Sequence, residues 1–152
     1  MIWKGRATVT EPHVSISIAP AGDVAVLDMW GDGAPLLYGV RAMQVEPRRW
    51  WLVDTGDKIE AITKALGENG AITPIGCGLM RATLTCPGWR FQLMISGMFD
   101  AENSAFKPGD CAATIIGHVS VWIDVISAET AHVYFAASLR TAIEHVWVQR
   151  AD

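Results

Sequence analysis

The chain has 152 residues, 51% of them hydrophobic and only 18% charged, with a net charge of −4. That length suits one domain over residues 1–152 with a real core, burying roughly 70% of the unfolded surface, and the low charge content excludes a disordered chain. The acidic balance excludes an electrostatic footprint for nucleic acid, apolar runs broken before ~18 residues exclude a membrane-spanning helix, and the polar start from Met1 to Arg6 lacks a signal core, so a cytoplasmic location is expected.

Residues 1–13 are mixed in character. Val14 to Ile18 alternates apolar and polar residues, the pattern of a half-buried strand. A turn at Pro20 to Asp23 and a second strand over Val24 to Trp30 suggest a hairpin. Gly31, Gly33 and Pro35 break that strand, and Leu36 to Val45 reads as extended.

Arg49 to Val53 is the next strand. Asp54 and Thr55 have side-chain oxygens suited to capping the helix that follows, from Gly56 to Leu66. Ile59, Ile62, Ala65 and Leu66 form its apolar stripe, and Gly67 or Gly70 ends it. Ala71 to Thr73 is extended, Gly76 to Gly78 is a turn, and Leu79 to Cys86 is a strand. Pro87 opens a short helix, Trp89 to Ile95, which Gly97 stops.

Asp100 to Gly109 reads as an irregular loop. Three strands follow, Cys111 to Ile116, Val119 to Ile126 and Ala131 to Ala136, the first two joined by a tight turn at Gly117 and His118. Ser138 caps a last helix running to about Val148, with Leu139, Ala142, Ile143, Val146 and Trp147 facing inward. The element order predicts an α+β fold: antiparallel or mixed sheet with helices packed on one face and a ferredoxin-like portion.

Tests for catalytic chemistry come back empty. Gly76 and Gly78 precede a strand instead of a helix, the wrong context for a phosphate loop. His13, His118, His132 and His145 lack metal-ligand spacing, and no Gly-x-Ser-x-Gly elbow occurs. Cys77, Cys86 and Cys111 form no Cys-x-x-Cys pair and read as free, buried thiols, with Cys77 between two glycines as a weak nucleophile candidate. Asp100 with Glu102, and Asp54 with Asp57, are possible acid–base pairs whose ordinary role is capping or solvation. No catalytic residue and no metal site are assigned.

Seven tryptophans point instead to a partner: Trp3, Trp30, Trp50, Trp51, Trp89, Trp122 and Trp147. Tryptophan fills cores, but it is also enriched at interfaces, and seven are hard to bury in one small domain. Trp50 and Trp51 are adjacent on a predicted strand, so they face opposite sides of the sheet and both sides need covering.

One ordered series of residues carries a family resemblance. It runs through Glu46 and Pro47, Trp50 to Leu52 before a helix, the strand Leu79 to Leu84, Gly88, Gly97 and Asp100. It continues through Phe106, Pro108 and Gly109, Ala113 and Thr114, Val121 and Trp122, and Val133 to Ser138 before the last helix. Over residues 46–148 the chain resembles the gamma subunit of heterotetrameric sarcosine oxidase. The resemblance implies a reduced relative of the folate-binding, aminomethyltransferase-like proteins. It implies an assembly part with no cofactor of its own, in a complex whose other subunits hold FAD, FMN, NAD and zinc, oxidise sarcosine and pass the one-carbon unit to tetrahydrofolate.

The stretch Pro74 to Gly78 stands where the family has an Asp-x-Ser type segment, so another methylated amine or amino acid is an open substrate, and no folate-binding residue carries over. Two other readings stay open. One is a stand-alone tetrahydrofolate-binding protein or aminomethyltransferase-like enzyme, with Asp100 or Glu102 holding the pterin. The other is a homodimeric binding module.

Overall fold

A computed structural model describes residues 14–97, 100–101 and 106–148. The described residues form nine strands and three α-helices. In chain order these are β1 (Ser15–Pro20), β2 (Val24–Met29), β3 (Arg41–Glu46), β4 (Arg49–Val53), α1 (Lys58–Leu66), β5 (Gly70–Pro74), β6 (Leu79–Thr85), α2 (Trp89–Ser96), β7 (Cys111–Ile116), β8 (Val119–Ser127), β9 (Thr130–Ala136) and α3 (Arg140–Val148).

The strands form two sheets, one ordered β1-β6-β9-β8-β7 and one ordered β3-β4-β2-β5. Every described pairing between these strands is antiparallel. In the four-stranded sheet, β4 and β5 both run antiparallel to β2, which lies between them, so they are parallel to each other and α1 connects them. This split β-α-β unit is the ferredoxin-like portion expected from the sequence.

Alternation along the strands assigns the layers. Ile62 and Leu66 of α1 pack on Leu27 of β2 and Leu52 of β4. The opposite face of the same sheet offers Val24, Met43, Trp51 and Val53 to Leu79 and Tyr134 of the five-stranded sheet. The far face of that second sheet buries Met80, Leu84, Val121 and Val133 against Trp89 and Leu93 of α2 and Ile143 and Trp147 of α3. The order is therefore helix, sheet, sheet, helices, and each sheet carries helices on one face only. Each fully buried Leu, Ile or Met contributes about 1.5–3 kcal/mol, so the face of the five-stranded sheet that packs on α2 and α3, the largest buried cluster, supplies the largest share of the driving force. Trp50 faces α1 and Trp51 faces the other sheet, as adjacent strand residues must.

Several local expectations are corrected. β1 and β2 are not a hairpin: β1 pairs with β6, while β2 pairs with β4 and β5. The turn at Pro20 to Asp23 instead carries the chain from one sheet to the other. It is crowded, since a Cβ on Gly76 would lie 1.8 Å from the Gly22 carbonyl oxygen. The expected extended stretch from Leu36 begins as a strand only at Arg41, after Tyr38 takes a φ of 51°.

Asp54 and Thr55 do not cap α1. The helix starts after Asp57, with no side-chain capping bond, and only the Thr55 carbonyl accepts from the Lys58 N–H. Ala65 and Ala142 are exposed instead of inward, because each helix presents a narrow stripe to its sheet, and Leu139 is exposed on the 3₁₀ turn before α3. Ser138 sits inside a 3₁₀ turn over Ala137–Leu139 that precedes α3. Residues 1–13, including Trp3 and His13, and Glu102 lie outside the described residues.

Candidate functional site: ion pairs between the sheets and an exposed apolar segment

The inner face of the five-stranded sheet carries a polar row. Thr83 stands opposite His132, His132 opposite Asp124, and Asp124 opposite Cys111. Asp124 is fully buried. An isolated carboxylate there would be costly, so the site needs a cation with matching geometry. Arg41 supplies it from β3 of the other sheet. Its Nε donates to Asp124 Oδ2 at 2.6 Å and its Nη2 donates to Oδ1, a forked charge-assisted pair. Nη2 also donates to the Val125 carbonyl at 3.1 Å. The hydrogen bond to Asp124 raises the Arg41 pKa against the opposing effect of burial.

A second pair lies on the same side. Arg81 Nη1 donates to both Asp54 oxygens, at 3.1 and 3.2 Å. This ion pair, and not helix capping, is what Asp54 does. The Tyr134 hydroxyl is buried without a hydrogen bond of good geometry, although the Arg81 guanidinium acts on it; burial raises its pKa. Burial and then Arg81 push His132 below its ordinary pKa, so its imidazole is neutral at pH 7. Burial and then Asp124 raise the Cys111 thiol, whose Sγ donates to the Gln44 carbonyl at 3.5 Å.

These groups do not form a nucleophile–base–orienter set. Both Asp124 oxygens are engaged by Arg41, and among the described residues no hydrogen bond joins His132 to Asp124 or Thr83. Cys111 is held as the thiol, the unreactive form. The network's evident work is to lock two sheets together. It was missed in the sequence because Arg41 and Asp124 are 83 positions apart. The available signal was Asp124 itself, a charge inside a strand with apolar residues on both faces.

The other described sequence candidates lie in several places in the fold, and Glu102 lies outside the described residues. Asp57 is exposed at the start of α1, while Asp54 belongs to Arg81. Asp100 lines a groove of about 1190 Å³ with Trp50, Phe106 and Asp110. The three thiols are free, but Cys77 is exposed and Cys86 and Cys111 are half-buried, so the expectation of buried thiols fails. Cys77 sits on the 3₁₀ turn Gly76–Gly78, which itself holds no histidine. His118 and His145 are exposed. Among the described residues no three His, Cys, Asp or Glu side chains gather as metal ligands, and no helix is long and apolar enough to cross a membrane.

The surface shows a different feature. Trp30, Leu36 and Tyr38 are 64%, 59% and 49% exposed, all within the segment joining β2 to β3. Exposed large apolar side chains suit contact with another protein; Met94, Ile115 and Leu139 are the others among the described residues.

No protein-family model matches this chain, and no curated protein matches it either. The solved structures do give a match. A chain of the heterotetrameric sarcosine oxidase from Corynebacterium sp. U-96, solved in complex with pyrrole 2-carboxylate, superposes with a TM-score of 0.76 at 13% sequence identity. The match covers 91% of this chain and 84% of that one. The fold is that of a sarcosine oxidase chain. At this identity the likeness speaks to architecture, and it spans both sheets, where the sequence resemblance began only at Glu46. The α+β class with antiparallel sheets agrees with the sarcosine oxidase fold as the sequence led one to expect.

Proposed function

We propose that this chain is a non-catalytic assembly subunit, of the gamma type, in a flavin-dependent sarcosine oxidase-like complex. The observation that carries the reading is the fold match to a chain of a heterotetrameric oxidase over 91% of this chain. Two features support it. Asp124 and Arg81 are engaged in ion pairs between the two sheets, and three of the large exposed apolar side chains, Trp30, Leu36 and Tyr38, lie on one segment.

In this reading the reaction belongs to the partners. They hold FAD, FMN, NAD, zinc and tetrahydrofolate, oxidise the N-methyl group of sarcosine or a related methylated amine, and transfer the one-carbon unit. The complex works in the cytoplasm, and this chain, one domain over residues 1–152, contributes no catalytic residue. Co-expression with the flavoprotein subunits of such a complex tests it. Co-elution as one particle, with no sarcosine turnover by the purified chain alone, is the expected result. A chain that stays monomeric in the presence of those subunits overturns it.

A stand-alone reduced-folate binder is the second reading, favoured by the groove that Asp100 and Asp110 line beside Trp50. Calorimetric titration of the pure chain with tetrahydrofolate decides it. Absence of heat at high micromolar ligand removes this reading and leaves the first intact.

A further inference from the structure

Trp30 is held in place. Trp30 donates its Nε1–H to the Glu68 carbonyl at 2.7 Å and its backbone N–H to the Asn69 carbonyl at 3.0 Å. Its indole is thus fixed at the turn that ends α1, with its ring in solvent. Below the same segment lies a hollow of about 140 Å³, walled by Met29, Pro35, Leu36, Ile62 and Leu66, with Asp32 among its lining residues. That size suits one apolar side chain and is well short of the roughly 300–1,000 Å³ of a small-molecule site.

Among the described residues that line the hollow, Asp32 alone is charged. No lysine or arginine lines the hollow. Asp32, and Glu68 whose carbonyl holds Trp30, have no ion-pair partner among the described residues; the paired carboxylates are Asp28, Glu46, Asp54, Asp124 and Glu144. Two cations touch the adjoining strand and line other hollows: Arg48 donates its Nε to the Met29 carbonyl, and Arg49 donates its Nε to Asp28.

Resting on the assembly reading above, we propose that this hollow is the docking socket for a partner subunit, which inserts one apolar side chain flanked by a lysine or arginine. The pocket, with the indole tied to its wall through Asn69, supplies an anchor that docking would desolvate, of the kind that dominates binding energy. The unpaired carboxylates select a basic neighbour and speed its approach. An acidic or neutral partner segment gains nothing from Asp32 or Glu68.

The test uses the full chain co-expressed with the flavoprotein subunits of the complex, in four forms: wild type, Trp30→Ala, Asp32→Lys and the exposed control Leu139→Ser. Circular dichroism melts confirm that each folds. The expected result is that Trp30→Ala and Asp32→Lys each weaken association about tenfold or more while Leu139→Ser leaves it unchanged, and that added salt weakens the wild-type complex. Wild-type assembly that Trp30→Ala does not weaken places docking elsewhere and overturns the socket, leaving the assembly role standing. Assembly weakened by Trp30→Ala but indifferent to Asp32→Lys and to salt overturns the basic character of the partner segment. Wild-type chain that never assembles overturns the socket and the assembly role together.

Discussion

Arg41 on β3 grips Asp124 on β8 across the gap between the two sheets, joining residues 83 positions apart. Asp124 is fully buried and the Arg41 side chain is about one-third exposed. Removing the cation leaves a buried charge behind, a loss worth about 3–5 kcal/mol, toward the lower end here because Arg41 reaches solvent. Arg41→Met should therefore lower the midpoint of urea unfolding strongly. Adding Asp124→Leu to it should recover most of the loss, because neither charge then remains to be desolvated. A single variant no less stable than wild type would show that the pair does not hold the sheets.

His132 gives the fold a pH dependence. It faces Arg81 and Asp54 as well as Arg41 and Asp124, with the Tyr134 ring 6.2 Å away centroid to centroid. Its pKa in the folded chain is lowered from 6.5, chiefly by burial and next by Arg81. As pH falls, the unfolded chain takes up this proton first, so the unfolded state binds more protons in the window below 6.5. Stability from this group is complete above that pH and declines as acid is added. His132→Gln should flatten the fall in melting temperature between pH 7 and pH 5. Superimposable profiles for the two proteins would remove His132 as the cause.

The thiols should react in a fixed order. Cys77 is exposed on its turn, whereas Cys111 is half-buried with a raised pKa and donates to the Gln44 carbonyl. Alkylation tracks exposure and thiolate content. Iodoacetamide at pH 7.5 should modify Cys77 well before Cys111, as read by peptide mass spectrometry. Faster loss of Cys111 would contradict the burial assigned to it.

Much of this fold was legible in the sequence where the signal was local. β7, β8 and β9 were marked by alternation and by the Gly117–His118 turn, and the ends of α1 and α2 by Gly67 and Gly97. The partition into two sheets was not legible. β1 pairs with β6 and not with its neighbour β2, and nothing in either strand's own residues says which distant strand will accept its hydrogen bonds. The interior network was hidden for the same reason, since Arg41 alone reads as a surface residue until Asp124 is placed opposite it. The expected cap at Asp54 failed because Arg81 claimed its carboxylate, and Ser138 lies inside the 3₁₀ turn that precedes α3.

Gly76 offers a test of how the two sheets are joined. A side chain there meets the Gly22 carbonyl oxygen at 1.8 Å and the Val24 backbone nitrogen at 3.0 Å, so backbone and not a flexible side chain must yield. Overpacking of this kind costs about 1–3 kcal/mol. Gly76→Ala should destabilise by that order in chemical denaturation, while Gly78→Ala, whose Cβ meets nothing within 4 Å, should not. Equal stabilities for the two variants would mean that the β1–β2 crossover and the turn at Gly76 are not packed as described.

Trp89 and Trp30 should separate stability from assembly. Trp89 is fully buried, donates its Nε1–H to the Ala128 carbonyl at 3.0 Å, and carries the Arg90 guanidinium 4.3 Å over its ring. Arg90 in turn donates to the carbonyls of Ala101 and Phe106, so the indole supports both α2 and the chain leading to β7. Trp89→Ala removes that packing and leaves a cavity, a loss of about 3–5 kcal/mol. Trp30 spends its ring in solvent, and truncating an exposed side chain away from the core changes stability by roughly 0.5 kcal/mol or less. Thermal melts of the isolated chain should therefore drop sharply for Trp89→Ala and barely move for Trp30→Ala. Comparable losses for both would mean that Trp30 is a core residue of this fold, and its exposure would no longer argue for a partner.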